Sequence, residues 1–179
     1  YAEGCGVRQN AFQAVRCFQL GARRNDAECA ARLARMHQDG LGIPVNPQAA
    51  EFFWRIAAEQ GDAVAQRKLG ELLLARPNQE REAVHWLRSA ARKRDLPAQD
   101  DLARCFFLGK GVEKSLKLAF RWGRRAADSG YAKAQFSLAV CWHYGIGTRC
   151  DESKCELYLK RACEQGDADA LAWRERTSE

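Results

Sequence analysis

The spacing of the glycines constrains the fold more than any other feature. Gly-x-Gly pairs stand at Gly4/Gly6, Gly40/Gly42, Gly109/Gly111 and Gly145/Gly147. The first and last intervals are 36 residues, and the middle one is 69, close to two periods. The skipped copy falls near Arg76-Pro77-Asn78, where a shorter connection replaces the glycine loop. Three further markers keep the same register. Asn25-Asp26, Gly61-Asp62, Arg94-Asp95, Gly130-Tyr131 and Gly166-Asp167 recur. So do the small pairs Gly21-Ala22, Ala57-Ala58, Ala90-Ala91, Ala126-Ala127 and Ala162-Cys163. The aromatics Phe53, Trp86, Trp122 and Tyr158 recur ahead of those pairs, with Cys17 in the first copy. A period in this range is the mark of a stacked repeat, in which no single unit can bury its own apolar face.

Each unit reads as two helices. Ala134, Leu138 and Trp142 sit at i, i+4 and i+8, one face of a first helix, A. Leu118, Ala119, Trp122 and Ala126 share one face of a second, B. The glycine pair breaks the chain between A and B, and a glycine such as Gly130 stops B. Small residues at Ala119 and Ala126 let helices approach, and the aromatic is expected to fill the space left between layers. No segment alternates as a strand does. The expected fold is all-α, a right-handed superhelical solenoid of about five helix-turn-helix repeats. The expected units are a partial one at 1–26, then 27–62, 63–96, 97–131 and 132–167, forming one domain with a polar capping helix at 168–179.

Composition excludes some classes of function. Hydrophobic residues make up 46% and charged residues 29%, too apolar for a disordered chain. No apolar run reaches the roughly 18 residues of a membrane span. The net charge of +6 comes from 29 basic and 23 acidic residues, 21 of the former being Arg. The basic residues are interspersed with acidic ones, so they read as solvated helix faces rather than a nucleic-acid surface. Arginine also suits docking on an acidic protein. Eight cysteines tilt the reading toward an oxidising compartment, the periplasm, with the cytoplasm as the alternative.

The glycine loops lack the spacing and the preceding strand of a phosphate cradle, and they recur once per unit. His37, His85 and His143 stand in no context of nucleophilic catalysis, with His37 on the core face of helix A. Cys141, His143, Cys150 and Cys155 are zinc-type residues within 15 positions, but their spacing matches no familiar zinc knuckle. Cys141 and Cys155 read as small buried hydrophobes. No catalytic residue, metal, cofactor or small-molecule ligand is expected.

The motifs "LGKGV", "AFRWGRRAADSG", "AAEQGD" and "ACEQGD" resemble the Sel-one-like repeat (SLR), a relative of the tetratricopeptide repeat, along essentially the whole chain. In that register Tyr1 takes the place of the family's helix A tyrosine. The chain is then expected to begin inside a helix A, and the protein to extend further toward its N-terminus. Some cysteine-rich members bridge helix B to the next helix A through two Cys eight apart. Cys163 and Cys29 lack such partners here, so that regular pattern is absent; Cys141–Cys155, joining helices A and B of one unit, is the preferred candidate disulfide.

The resemblance implies a non-enzymatic module that holds a protein partner on the concave face lined by helix A. Projecting the helix A positions onto this chain selects Arg35, Gln38, Asp39, Arg67, Glu71, Leu74, Asp100, Arg104, Phe107, Leu108, Phe136, Val140, His143 and Tyr144. Aromatics and Arg dominate binding hot spots, so Phe107, Tyr144 and Arg104 stand out. The preferred specific expectation is a bacterial immunity protein neutralising a toxic effector, such as a phospholipase, of type VI contact-dependent secretion. An envelope scaffold or signalling adaptor is the alternative.

Overall fold

The computed structural model describes residues 11–177, and the expected first helix A around Tyr1 lies outside the described residues. Ten helices and no strand occur among the described residues. They fall into two compact units, residues 1–76 and 77–179.

The first unit holds α1 (Ala11–Arg23), α2 (Ala27–Asp39), α3 (Pro47–Glu59) and α4 (Ala63–Leu74). Its core gathers Ala14, Val15, Leu33 and Met36, flanked by Phe18, Ile43 and Phe53. The second holds α5 (Glu80–Arg92), α6 (Leu96–Leu108), α7 (Leu116–Asp128), α8 (Ala132–Tyr144), α9 (Glu152–Glu164) and α10 (Ala168–Thr177). Here Ala126, Ala127, Ala134, Leu138, Ala139, Trp142, Cys155 and Tyr158 form one core cluster. Within each unit, every helix packs on its neighbours in the chain. That is the pattern of stacked repeats.

Local chemistry sets the helix limits. The side chains of Asp26, Asp62, Asp95 and Asp151 accept from the backbone N–H three residues on, satisfying a donor the helix leaves unpaired. Asn46 and Ser115 do the same for α3 and α7. In two of the loops the second glycine packs against the preceding helix pair. A Cβ on Gly111 would lie 2.2 Å from the Glu80 carbonyl oxygen, and a Cβ on Gly147 the same 2.2 Å from that of Leu116. Both the glycines and the carbonyls are one period apart. The loop is therefore a packing element of the repeat as well as the connector its recurrence predicts.

A buried amide ladder recurs with it. The Nε2 groups of Gln66, Gln99 and Gln135 donate to the carbonyls of Ala58, Ala91 and Ala127 at 3.0, 3.0 and 3.2 Å. Each glutamine, on helix A, is a second donor to a C-terminal carbonyl of the preceding helix B, which also accepts from the turn N–H of Gly61, Arg94 or Gly130.

The aromatic marker is buried unevenly: Tyr158 lies in one core cluster and Phe53 packs against another, but Trp122 joins neither. Trp122 is half-buried, with the Arg125 guanidinium 5.7 Å from its ring centroid. The buried seam of α7 is made of Ala119, Gly123, Ala126 and Ala127. In α3 the buried ring is Trp54, at 1% exposure, one residue after the marker Phe53. Its Nε1 donates to Gln38 Oε1 at 3.1 Å. A helix face spans more than 100°, so adjacent residues share its edge, and the larger one takes the interior where room exists.

Candidate partner-binding groove

In the second unit, α6, α7 and α8 enclose a groove of about 340 Å³. Its α6 wall carries Asp100, Ala103, Arg104 and Phe107; its α8 wall carries Lys133, Phe136, Ser137, Leu138, Val140 and Cys141. Ala119, Phe120 and Gly123 of α7 and Ile146 of the following loop complete it. Small residues on α7 make the room, because nothing projects from Gly123 and only a methyl from Ala119. Five of the projected helix A residues meet here: Asp100, Arg104, Phe107, Phe136 and Val140.

Asp100 is the anomaly of the groove. It is 8% exposed, and its carboxylate oxygens, which form no hydrogen bond or ion pair among the described residues, keep some contact with solvent. Burial pushes its pKa above the usual carboxylate range, and the neighbouring charge of Asp101 adds to the effect. Lys133 and Arg104 pull the other way without reaching it. Arg104 is held instead by Asp101, at 2.6 Å. A carboxylate so nearly buried in an apolar groove is poorly solvated, which costs free energy and suits it to receive a charged group.

Beyond the groove lies an aromatic cluster. Phe136 meets Trp173 edge-on at 5.9 Å; His143 meets Tyr144 at 4.7 Å and Trp173 at 5.7 Å; Tyr144 meets Trp173 at 6.1 Å. Tyr144 is 62% exposed and Phe107 40%, the latter with Lys114 Nζ 6.0 Å from its ring centroid. Leu108 is also exposed. Trp173 is not among the residues the helix A register selects. It aligns with Ser137, beside the projected positions, and Arg174 stands where the framework leucine would be.

The projected residues of the first unit are placed differently. Arg35 and Asp39 are exposed on α2, and Gln38 is occupied by Trp54 Nε1 and by Asp39. Arg67 and Lys68 both pair with Glu71 on α4, and Leu74 is buried.

The candidate disulfide is not formed: Cys141 and Cys155 are free thiols, like the other five described cysteines. Cys141 is taken up by packing against the apolar core, and the Cys155 thiol is directed to Glu152. Burial pushes the thiols of Cys105 and Cys141 up to about 11, which keeps them protonated and unreactive at neutral pH. His37 stacks on Phe53, and burial lowers its pKa.

The Sel1 repeat model matches residues 1–26, 27–62, 63–95, 96–131 and 132–167. The chain belongs to the Sel1 repeat family. Sel1 repeats are protein-interaction modules, and a protein partner is what the family implies. An uncharacterised protein of Neisseria meningitidis serogroup B is 31% identical over 153 residues, covering 86% of this chain and 32% of its own length. Chitin synthase regulatory factor 3 of Schizosaccharomyces pombe is 30% identical over 142 residues, covering 75% of this chain and 15% of its own length. The chain thus spans a third or less of these curated relatives. Among solved structures, c5321 of uropathogenic Escherichia coli, described as a protective antigen with an SLR fold, superposes with a TM-score of 0.91. It is 28% identical, with 99% of this chain and 39% of that one covered. Immunity proteins of Pseudomonas aeruginosa superpose with TM-scores of 0.56 and 0.57 at 19% identity, a likeness of fold alone. Among the described residues, no helix is long and apolar enough to cross a membrane.

Proposed function

We propose that this Sel1 array is a non-catalytic module that binds a protein partner along the helix A face, with the α6–α7–α8 groove as its anchor point. The observation that carries the reading is the groove itself: apolar walls, exposed Phe107 at its mouth, and the buried, unpartnered Asp100. A partner side chain that is apolar for most of its length and ends in a cation, such as Lys or Arg, would fill the cavity and pair with that carboxylate. Arg104, Tyr144 and His143 would contact the partner around it; in the first unit, taken by itself, Arg35, Gln38, Asp39, Arg67 and Glu71 are the corresponding helix A candidates.

Under one finer reading, the partner is a toxic effector and the array is its immunity protein; support is limited to the fold shared with the Pseudomonas immunity proteins. Under the other, the array is an adaptor or scaffold that recruits or regulates an enzyme. The relation to a yeast chitin synthase regulator favours it.

The test is co-purification of the chain with the product of a neighbouring gene, followed by an affinity measurement and an activity assay on the partner. Abolished partner activity supports immunity; a bound partner that stays active or gains activity supports the adaptor. A complex indifferent to Asp100→Asn and Phe107→Ala would refute the groove reading.

A further inference from the structure

His143 and Cys155 lie on different helices of one repeat, and the turn between them brings a third ligand type into reach. His143 sits in the last turn of α8, and Glu152 opens α9 behind the N-cap Asp151. The loop is closed by the Asp151 N–H donating to the Trp142 carbonyl at 3.0 Å. Glu152 and Cys155, three apart, share one face of the first turn of α9. His143 Nδ1 is 3.2 and 3.3 Å from the two Glu152 oxygens. One donor atom each from His143, Glu152 and Cys155 lies within 4.8 Å of the others.

The neighbouring repeats show that packing requires none of this chemistry. The same three positions one unit earlier, 36 residues back, hold Phe107, Leu116 and Ala119. In the first unit they hold Gln38, Pro47 and Ala50. Of these three copies, one carries an imidazole, a carboxylate and a thiol together. Cys155 is 4% exposed at its place in the core, while Glu152 is exposed and His143 half-buried, so the group opens to solvent on one side.

We propose that His143 Nδ1, a Glu152 oxygen and Cys155 Sγ bind a divalent cation of the zinc class. Zinc accepts nitrogen, oxygen and sulfur donors in a tetrahedron with bond lengths of about 2.0–2.3 Å. Ligand atoms around such an ion stand roughly 3.5 Å apart. The His143–Glu152 separation already meets this, and rotation of the exposed Glu152 and of the Cys155 thiol closes the rest. One carboxylate and one thiolate balance the two charges of the ion, and water completes the fourth position. Binding forms the Zn–S bond at the expense of the S–H bond, and the released proton goes to solvent. The ion would join the end of α8 to the start of α9 and fix the His143 ring, which forms one edge of the cluster with Tyr144 and Trp173.

The test titrates the full chain with Zn²⁺ against a fluorescent zinc chelator, with a phosphine reductant so that no free thiol competes. The expected result is one zinc per chain. Affinity should fall by about tenfold or more in His143→Phe, Glu152→Leu and Cys155→Ala, which place the residues of the preceding repeat. Co²⁺ should give a thiolate-to-metal charge-transfer band that Cys155→Ala abolishes. Because Glu152 is exposed, Glu152→Leu keeps the test open if a core change at Cys155 lowers stability. Zinc held equally by the variants, through other thiols, would overturn the site. So would failure of the wild-type chain to take up zinc at micromolar concentration.

Discussion

Gln99 Nε2 donates to the carbonyl oxygen of Ala91 at 3.0 Å, inside a core where both residues are essentially inaccessible to water. The contact joins α6 to the C-terminus of α5. Gln66 and Gln135 repeat it in their own helices.

Replacing Gln99 with leucine keeps the side-chain volume roughly constant and removes this bond, leaving the Ala91 carbonyl with the Arg94 N–H at 3.2 Å. The net worth of such a bond is about 0.5–1.5 kcal/mol. Gln99→Leu is therefore expected to lower stability by that amount in chemical denaturation, with helical content unchanged. A neutral effect would mean that removing the buried Gln99 Oε1, which has no partner, offsets the lost bond.

Gly147 has φ +71°, and a Cβ there would meet the Leu116 carbonyl oxygen at 2.2 Å. Alanine must adopt a left-handed backbone and push one helix pair off the next. The expected destabilisation of Gly147→Ala is about 2–4 kcal/mol. Gly130 makes the control: its φ is +94°, but a Cβ there would touch nothing within 4 Å. Gly130→Ala should carry only the backbone cost, about 1–2 kcal/mol. Equal losses at the two sites would show that the close approach contributes nothing.

Arg94 occupies the turn position that Gly61, Gly130 and Gly166 hold in other repeats, and it does so at φ 66°. An arginine in that region is strained where glycine is not. Arg94→Gly is expected to stabilise the chain by about 1 kcal/mol, or roughly 2–4 °C in melting temperature. The variant's extra freedom when unfolded offsets part of the gain. A drop in melting temperature would show that this freedom outweighs the relief of strain.

The repeat, the helix pairs and the role of the glycine loops were legible because they recur, and recurrence removes the ambiguity of any single copy. Asp100, Arg104, Phe107, Phe136 and Val140 were placed on one side of helix A by the same register. What was not legible depends on shape. Nothing in the spacing distinguishes Trp54 from Phe53, since both border the same face and only the local room decides which is buried. The groove floor at Ala119, Phe120 and Gly123 belongs to helix B, so a projection of helix A alone omits it. Trp173 is not selected because it stands at the position of Ser137, beside those that the helix A register projects. Nothing in the sequence marks Glu152 as a partner of His143 and Cys155, since an exposed glutamate in a first helical turn is common and only the fold brings the three together.

Phe107 and Tyr144 expose large rings that the repeat does not require, at 40% and 62%. Phe107→Ala and Tyr144→Ala are expected to weaken partner binding by about 1–3 kcal/mol each. Because so much of each ring is outside the core, the melting temperature should move little. Loss of stability equal to the loss of affinity would reassign both residues to packing.

Asp100 makes the sharpest prediction because stability and binding should move in opposite directions. Its ordinary pKa of 3.8 is raised in the folded chain, by burial first and then by the charge of Asp101. Between the unfolded and folded values the native chain keeps a proton that the unfolded chain has released. Stability therefore falls as pH rises through that window, and the ionised, buried carboxylate remains a cost at neutral pH. Asp100→Asn removes the charge at nearly constant shape. The variant is expected to melt above the wild type at pH 7, and the difference should shrink as pH is lowered toward 4 and the wild-type carboxyl is protonated. The same substitution removes the acceptor offered to a cationic side chain, so partner affinity should fall by about 1.5–3 kcal/mol, the range for a hydrogen bond to a charged group. Thermal denaturation across pH, paired with calorimetric binding at pH 7, measures both. A variant that loses stability at neutral pH would show that the carboxylate is satisfied in the folded chain, and the case for it as the anchor of a basic side chain would fail with it.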